Sequence, residues 1–191
     1  MPDRRALIPI VAGIVLVVLC VWRVAANKPQ DYADQVAAAV MARPAPVFEA
    51  LDANNTLVRL VTFLGRHQII ILFFDGDTGA DQDPELLRLR ERFPELQAHS
   101  VKVIAITNAI PQLNRAAMDR VGSFPFPLVS DFDPLSPAGI LKIHSQWGRV
   151  TESGKTRPGV FLIDRRGQVT ATPVGPRPFG SVDEAVDAAL K

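Results

Sequence analysis

The chain has 191 residues, 48% of them hydrophobic, with 21 basic and 20 acidic side chains and a single cysteine. A net charge of +1 gives no field for gripping nucleic acid, and the apolar content is too high for a disordered polymer. One cysteine cannot form a disulfide within the chain, a CxxC redox pair or a cysteine-rich zinc site.

The charge and the cysteine are both unevenly placed. Residues 1–28 carry +3, which leaves −2 for the remainder, and Cys20 lies in the same N-terminal piece. Ala6 to Trp22 is a run of 17 residues without a charge, and Val24 to Ala26 prolongs it past Arg23. A helix of ~20 apolar residues spans a bilayer, with ~17 at the short end, and an arginine near its end can snorkel to the headgroups. Residues 1–24 therefore read as a membrane anchor that engages lipid through residues 6–24. A cleaved signal peptide is the alternative, with Val24-Ala25-Ala26 as its cleavage site, but its apolar region would be only ~7–15 residues. A lipoprotein signal fails, because Leu19 stands before Cys20 where a small residue is needed. A short N-terminus ahead of a first span points to a single-pass bacterial inner (cytoplasmic) membrane protein with its C-terminal domain exported, periplasmic or extracytoplasmic. Cys20 reads as a small apolar residue in lipid, with an intermolecular disulfide or acylation as the alternative.

Asp31 to Ala42 reads as a short helix with Asp31 as N-cap, stopped by Arg43-Pro44-Ala45-Pro46. Residues 25–45 are taken as a stalk and residues 46–191 as the folded domain. Within it, Val47 to Leu60 predicts a β-hairpin around Asp52-Ala53-Asn54-Asn55. Gln68 to Phe74 is a continuous apolar run, suited to a strand buried on both faces. Asp83, Pro84 and Glu85 then start a helix that spaces Leu86, Leu89, Phe93 and Leu96 on one side, with Pro94 disturbing its last turn. Val101 to Thr107 is a second buried strand, and Pro111 to Val121 a second helix ended by Gly122. Pro127 to Ser130 is a short strand and Leu135 to Ile143 a helix. Ser145 to Thr156 is an extended insertion, partner-facing or simply variable. Gly159 to Asp164 and Gln168 to Thr172 form a hairpin turned at Gly167. Ser181 and Glu184 make a capping box for a last helix, Val182 to Leu190. Alternating buried strands and helices describe an α/β sheet with helices on both faces.

The order of short motifs resembles the peroxiredoxin group (alkyl hydroperoxide reductase and thiol-specific antioxidant proteins) of the thioredoxin-like superfamily. Ala45-Pro46-Val47-Phe48 is similar to its A-P-x-F opening, and Leu57 to Leu60 with Phe63 and Gly65 to its V-x-L-x-x-F-x-G stretch. Ile70 to Phe74 matches the strand before the active-site loop. Phe124 to Asp131 is close to F-P-L-L-S-D, and Gly159 to Asp164 with Gly167 to the F-L-I-D-x-x-G hairpin. The resemblance implies a thioredoxin-like three-layer sandwich, with a central mixed sheet and helices on both faces, behind the N-terminal transmembrane helix.

The chemistry that the resemblance implies is missing its nucleophile. The family places a cysteine in a P-x-x-x-T-x-x-C loop at a helix N-terminus, where a thiolate attacks peroxide. Here the loop runs from Asp75 to Asp83. With Thr78 aligned to the family threonine, Asp81 takes the cysteine position; aligned without a gap, Gln82 does. Asp77, Thr78, Asp81 and Gln82 are thus degenerate site positions, and no residue is assigned a catalytic role. The resemblance adds Arg157, one residue off the family's active-site arginine, and Pro158, where thioredoxin-type relatives carry a cis-proline. A surface arginine and a turn-shaping proline are the alternatives.

Other clusters carry less. Asp75, Asp77, Asp81 and Asp83 could hold a divalent cation through oxygen, but Ala80 and Leu86 stand where an EF-hand loop needs glycine and glutamate. Helix capping is the favoured role. His67, His99 and His144 show no ligand spacing and read as exposed or locally bonded. No cofactor is expected. The leading expectation is a membrane-anchored, cysteine-less peroxiredoxin-type domain that binds a protein partner in the ancestral groove near Asp77–Asp83 and Arg157–Pro158, with no nucleic acid as partner. The alternatives are an antioxidant or thiol-disulfide oxidoreductase, as in the family, and a cation-binding module using the Asp75–Asp83 loop.

Overall fold

The computed structural model describes residues 43–132, 141–170 and 178–191. The expected anchor and the helix Asp31–Ala42 lie outside these residues. Among the described residues, no helix is long and apolar enough to cross a membrane.

A six-stranded sheet organises the domain. Its strands are β1 (Arg43–Pro44), β4 (Ile69–Phe74), β5 (Lys102–Thr107), β6 (Leu128–Ser130), β7 (Gly159–Ile163) and β8 (Gln168–Val169), in the order β1-β8-β7-β4-β5-β6. β4 and β5 are parallel, with Ile71 opposite Ile104, and β6 extends that parallel set. β7 runs antiparallel to β4, with Ile71 opposite Phe161. The sheet is therefore mixed. β4 is central because all six of its residues are apolar, and every one is buried. Strands covered on both faces take such unbroken runs.

Two cores result from the period-2 alternation of the strands. Ile70, Leu72 and Phe74 face one side, under helices α1 (Pro84–Ala98), α2 (Pro111–Val121) and α4 (Val182–Ala189). Ile69, Ile71 and Phe73 face the other, under the hairpin β2 (Glu49–Leu51) and β3 (Leu57–Arg59), the short helix α3 (Lys142–Gln146) and Trp147. The expected three layers are present. Among the described residues, three helices cover one face, and a hairpin with one short helix covers the other.

The local signals act as expected at most element ends. Asp83 caps α1, its Oδ1 accepting from the Leu86 N–H at 2.8 Å, with Pro84 next in line. α1 runs through Pro94 to Ala98. Gly122 ends α2 at φ 87°, a conformation glycine adopts without strain. Ser181 Oγ accepts from Glu184 N–H, but the Glu184 carboxylate reaches Gly180 N–H rather than the cap's own. α4 is also tethered to α1, since Glu85 Oε2 accepts from the Val182 N–H at 2.6 Å.

Two expectations change. Arg43 and Pro44, assigned to the stalk, pair with Val169 and Gln168, and Ala45 N–H donates to the Gly167 carbonyl. The sheet reaches three residues further toward the N-terminus because backbone pairing with β8 satisfies this segment. The insertion Ser145–Thr156 is not extended throughout. Ser145 and Gln146 finish α3, Trp147 is 2% exposed in the core, and only Val150 to Thr156 forms a small antiparallel turn. Trp147 is held there by Phe73 and Phe161, at 5.8 and 5.2 Å between ring centres. Most of the expected helix Leu135–Ile143 lies outside the described residues.

Candidate functional site

The loop Asp75–Asp83 leaves the C-terminal end of β4 and feeds α1. It begins with a turn: Asp75 Oδ1 accepts from Asp77 N–H at 3.1 Å, and the Asp75 carbonyl from Gly79 N–H at 3.3 Å. Gly76 N–H donates to Asn108 Oδ1 at 2.8 Å, which ties the loop to the end of β5. A Cβ on Gly76 would stand 2.5 Å from that oxygen and 2.8 Å from Ala109 N, so only glycine fits. Ala80 is buried and pins the middle of the loop to the core.

The sequence-expected residues then separate. Asp77, Thr78 and Gln82 face solvent. Asp81 turns toward α2, where Arg120 donates to both of its oxygens, Nε to Oδ2 at 2.6 Å and Nη2 to Oδ1 at 2.9 Å. The Arg120 hydrogen bonds hold the Asp81 carboxyl below the usual carboxylate range. Asp83 is 8% exposed, and burial pushes its carboxyl up against the opposing pull of the Leu86 N–H. The nearby charges of Glu85 and Asp75 act in the same direction as burial. Asp75 thus bonds within the loop, Asp81 pairs with Arg120 and Asp83 caps its own helix, while Asp77 faces solvent. Among the described residues no three carboxylate, histidine or cysteine side chains form a group that could hold a metal ion.

Arg157 and Pro158 lie at the same end of the sheet. Gly159, the next residue, pairs with Phe73 near the point where β4 enters the loop. Both are exposed, and no cis peptide bond occurs among the described residues, so Pro158 is trans. No hydrogen bond or ion pair among the described residues joins them to Asp77–Asp83.

One buried polar group has only a faint signal in the sequence. Asp131, just after β6, is 3% exposed and accepts from the backbone N–H groups of Ile143 (3.0 Å) and His144 (2.7 Å). Its Oδ2 also lies 2.7 Å from His144 Nδ1. His144 is fully buried, edge-on to Phe73 at 5.0 Å, so it is locally bonded rather than exposed. Its Nε2 and the Trp147 Nε1 have no hydrogen-bond partner among the described residues. An aspartate directly at a strand end, Asp131 after Ser130, is the only sequence hint that a carboxylate caps a downstream helix.

Comparison with known proteins agrees with this architecture. The AhpC/TSA family model matches residues 41–172. Alkyl hydroperoxide reductase E of Mycobacterium tuberculosis is 32% identical over 125 residues, covering 64% of this chain and 77% of that protein. A chloroplastic 2-cysteine peroxiredoxin of Chattonella marina var. antiqua is 27% identical over 152 residues, 74% of each chain. Among solved structures, peroxidoxin BcpB from Mycobacterium tuberculosis superposes with a TM-score of 0.58 at 20% identity, covering 78% of this chain and 93% of its own. A thioredoxin-family thiol:disulfide interchange protein from Chlorobium tepidum TLS gives 0.55 at 19% identity, covering 78% and 97%. At those identities the structural likeness shows a thioredoxin-like fold.

Proposed function

Because this chain belongs to the AhpC/TSA family yet has no cysteine beyond Cys20, we infer that its thioredoxin-like domain works by binding a protein partner and not by thiol chemistry. The observation that carries this reading is the state of the position aligned with the family cysteine. Asp81 or Gln82 takes it, and neither is a thiol; Asp81 has both of its oxygens held by Arg120. A carboxylate so paired cannot form the sulfur–oxygen and sulfur–sulfur bonds on which thiol peroxidases turn over. The docking surface is the ancestral groove around Asp77–Asp83 and Arg157–Pro158. Residues 6–24 anchor the chain in an inner membrane and the domain is exported, a reading supported by the uncharged run Ala6–Trp22.

The test uses the full chain in detergent. Hydrogen peroxide and an alkyl hydroperoxide are supplied with a thiol reductant, and consumption is compared with a heat-treated control. No excess consumption is expected. Family membership favours a second reading, an antioxidant or oxidoreductase that borrows a thiol. Turnover that disappears in Cys20→Ala would establish that reading, and turnover surviving in Cys20→Ala would reject the binding proposal as well.

A further inference from the structure

Two arginines face each other without an acid between them. The antiparallel bridge Val150–Thr156 places Arg149 directly opposite Arg157 on the same ribbon, and Arg157 N–H donates to the Arg149 carbonyl at 2.8 Å. Like charges at directly opposed positions are unfavourable. Several other arginines have carboxylates that offset their charge. Arg59, Arg88, Arg92 and Arg120 pair with carboxylates. Among the described residues, no carboxylate lies within ion-pair distance of Arg149 or Arg157.

Arg149 is also drawn partly out of water and fixed. Its Nε donates to the Gly148 carbonyl at 3.1 Å and its Nη1 to the Pro158 carbonyl at 3.3 Å. Its Cζ lies 5.7 Å from the centre of the Phe161 ring. The guanidinium occupies the space that a side chain at Gly159 would take, with Nη1 only 2.7 Å from that Cβ position. Burial, and then the charge of Arg157, hold the Arg149 guanidinium below its usual range. A half-buried, pre-oriented cation beside a second cation is an anion receptor with its donors already ordered.

We propose that Arg149 and Arg157 form a carboxylate-binding site, Arg149 supplying the fixed Nη edge and Arg157 the exposed, solvent-side fork. A carboxylate suits the site better than a phosphate dianion, because the apolar Phe161 ring beside Arg149 penalises the more strongly hydrated ion. The carboxylate can belong to a small organic acid or to an acidic peptide segment. The site stands on these two arginines and does not depend on the binding role proposed above.

The test titrates the full chain in detergent with acetate and, separately, with an N-acetylated tetraglutamate amide, at constant ionic strength set by chloride. The readout is the arginine Nε–H resonances in nitrogen-15 spectra. Arg149 and Arg157 resonances are expected to move saturably with a carboxylate and to stay still in chloride alone. Arg149→Gln and Arg157→Gln are each expected to weaken binding by about tenfold, the loss of one charge-assisted pair. Arg157 is exposed, so its variant keeps the fold even where Arg149→Gln does not. Saturation by acetate alone identifies a small-acid site, and tighter saturation by the peptide identifies an acidic segment. Shifts that track chloride, or unchanged affinity in Arg157→Gln, overturn the proposal.

Discussion

Arg120 holds Asp81 by both carboxylate oxygens, at 2.6 and 2.9 Å, from a helix 39 positions further along the chain. The pair joins the loop after β4 to α2 and lowers the Asp81 pKa. A carboxyl whose folded pKa is depressed adds stability above its unfolded pKa and loses it as pH falls through the folded value. The difference in urea midpoint between the full chain and Asp81→Asn should therefore be constant above about pH 5 and vanish in acid below the usual carboxylate range. Arg120 is exposed, so added salt should shrink the difference as well. A difference that grows in acid contradicts the assigned sign.

The same pair predicts what a thiol would do there. In a Cys20→Ala background, Asp81→Cys places sulfur beside the Arg120 guanidinium, which favours the thiolate. Gln82→Cys places it on an exposed position with no cation bonded nearby. The pH midpoint for alkylation by iodoacetamide should fall below ~8.5 for Asp81→Cys and stay near that value for Gln82→Cys. The reverse order would mean that Gln82, and not Asp81, offers the setting that favours a thiolate.

Asp83 behaves with the opposite sign. Burial raises its folded pKa, so the folded state holds its proton more tightly than the unfolded chain. Its contribution is most favourable below the unfolded pKa and declines as pH rises through the raised folded value. Asparagine caps a helix about as well as aspartate and does not ionise. Asp83→Asn should thus gain on the parent chain as pH rises from about 3 to 6, whereas Asp83→Ala should cost about 1 kcal/mol at neutral pH through loss of the Leu86 cap. Denaturation series at four or five pH values separate the two effects.

Gly76→Ala tests the tie between the loop and β5. The added methyl meets Asn108 Oδ1 at 2.5 Å and Ala109 N at 2.8 Å, and the latter is backbone that cannot swing away. Forced displacement in a packed site costs about 1–3 kcal/mol. A midpoint unchanged from the parent would mean that the loop accommodates the methyl by moving off Asn108.

What the sequence disclosed depended on the range of the interaction. β4 was legible because six consecutive apolar residues have one economical home, a strand covered on both faces. The start of α1 was legible because Asp83, Pro84 and Glu85 are adjacent. The expected loop holds its aspartates close in sequence, yet the fold sends Asp81 to Arg120 and Asp83 to its own helix. β1 was hidden because its two residues gain their partners only from β8, and no local period announces that pairing. Trp147 beside Gly148 looks like loop, since the aromatic shell that buries it comes from β4 and β7. Arg149 is unremarkable in the chain until the ribbon places it across from Arg157.

The buried Asp131–His144 pair gives the sharpest stability test. Truncating Asp131 strands the N–H groups of Ile143 and His144 together with His144 Nδ1, all away from water. Buried donors left unmade cost about 1–3 kcal/mol each before relaxation, so Asp131→Ala should lose on the order of 3 kcal/mol or more. His144→Leu should cost less. It removes an Nε2 that already lacks a partner, and Asp131 keeps both of its backbone donors. Leucine also suits the apolar face that Phe73 presents to the ring. Urea denaturation of the two variants decides the matter. Asp131→Ala should be the less stable, and the opposite order would show that the histidine ring, and not the carboxylate, organises the start of α3.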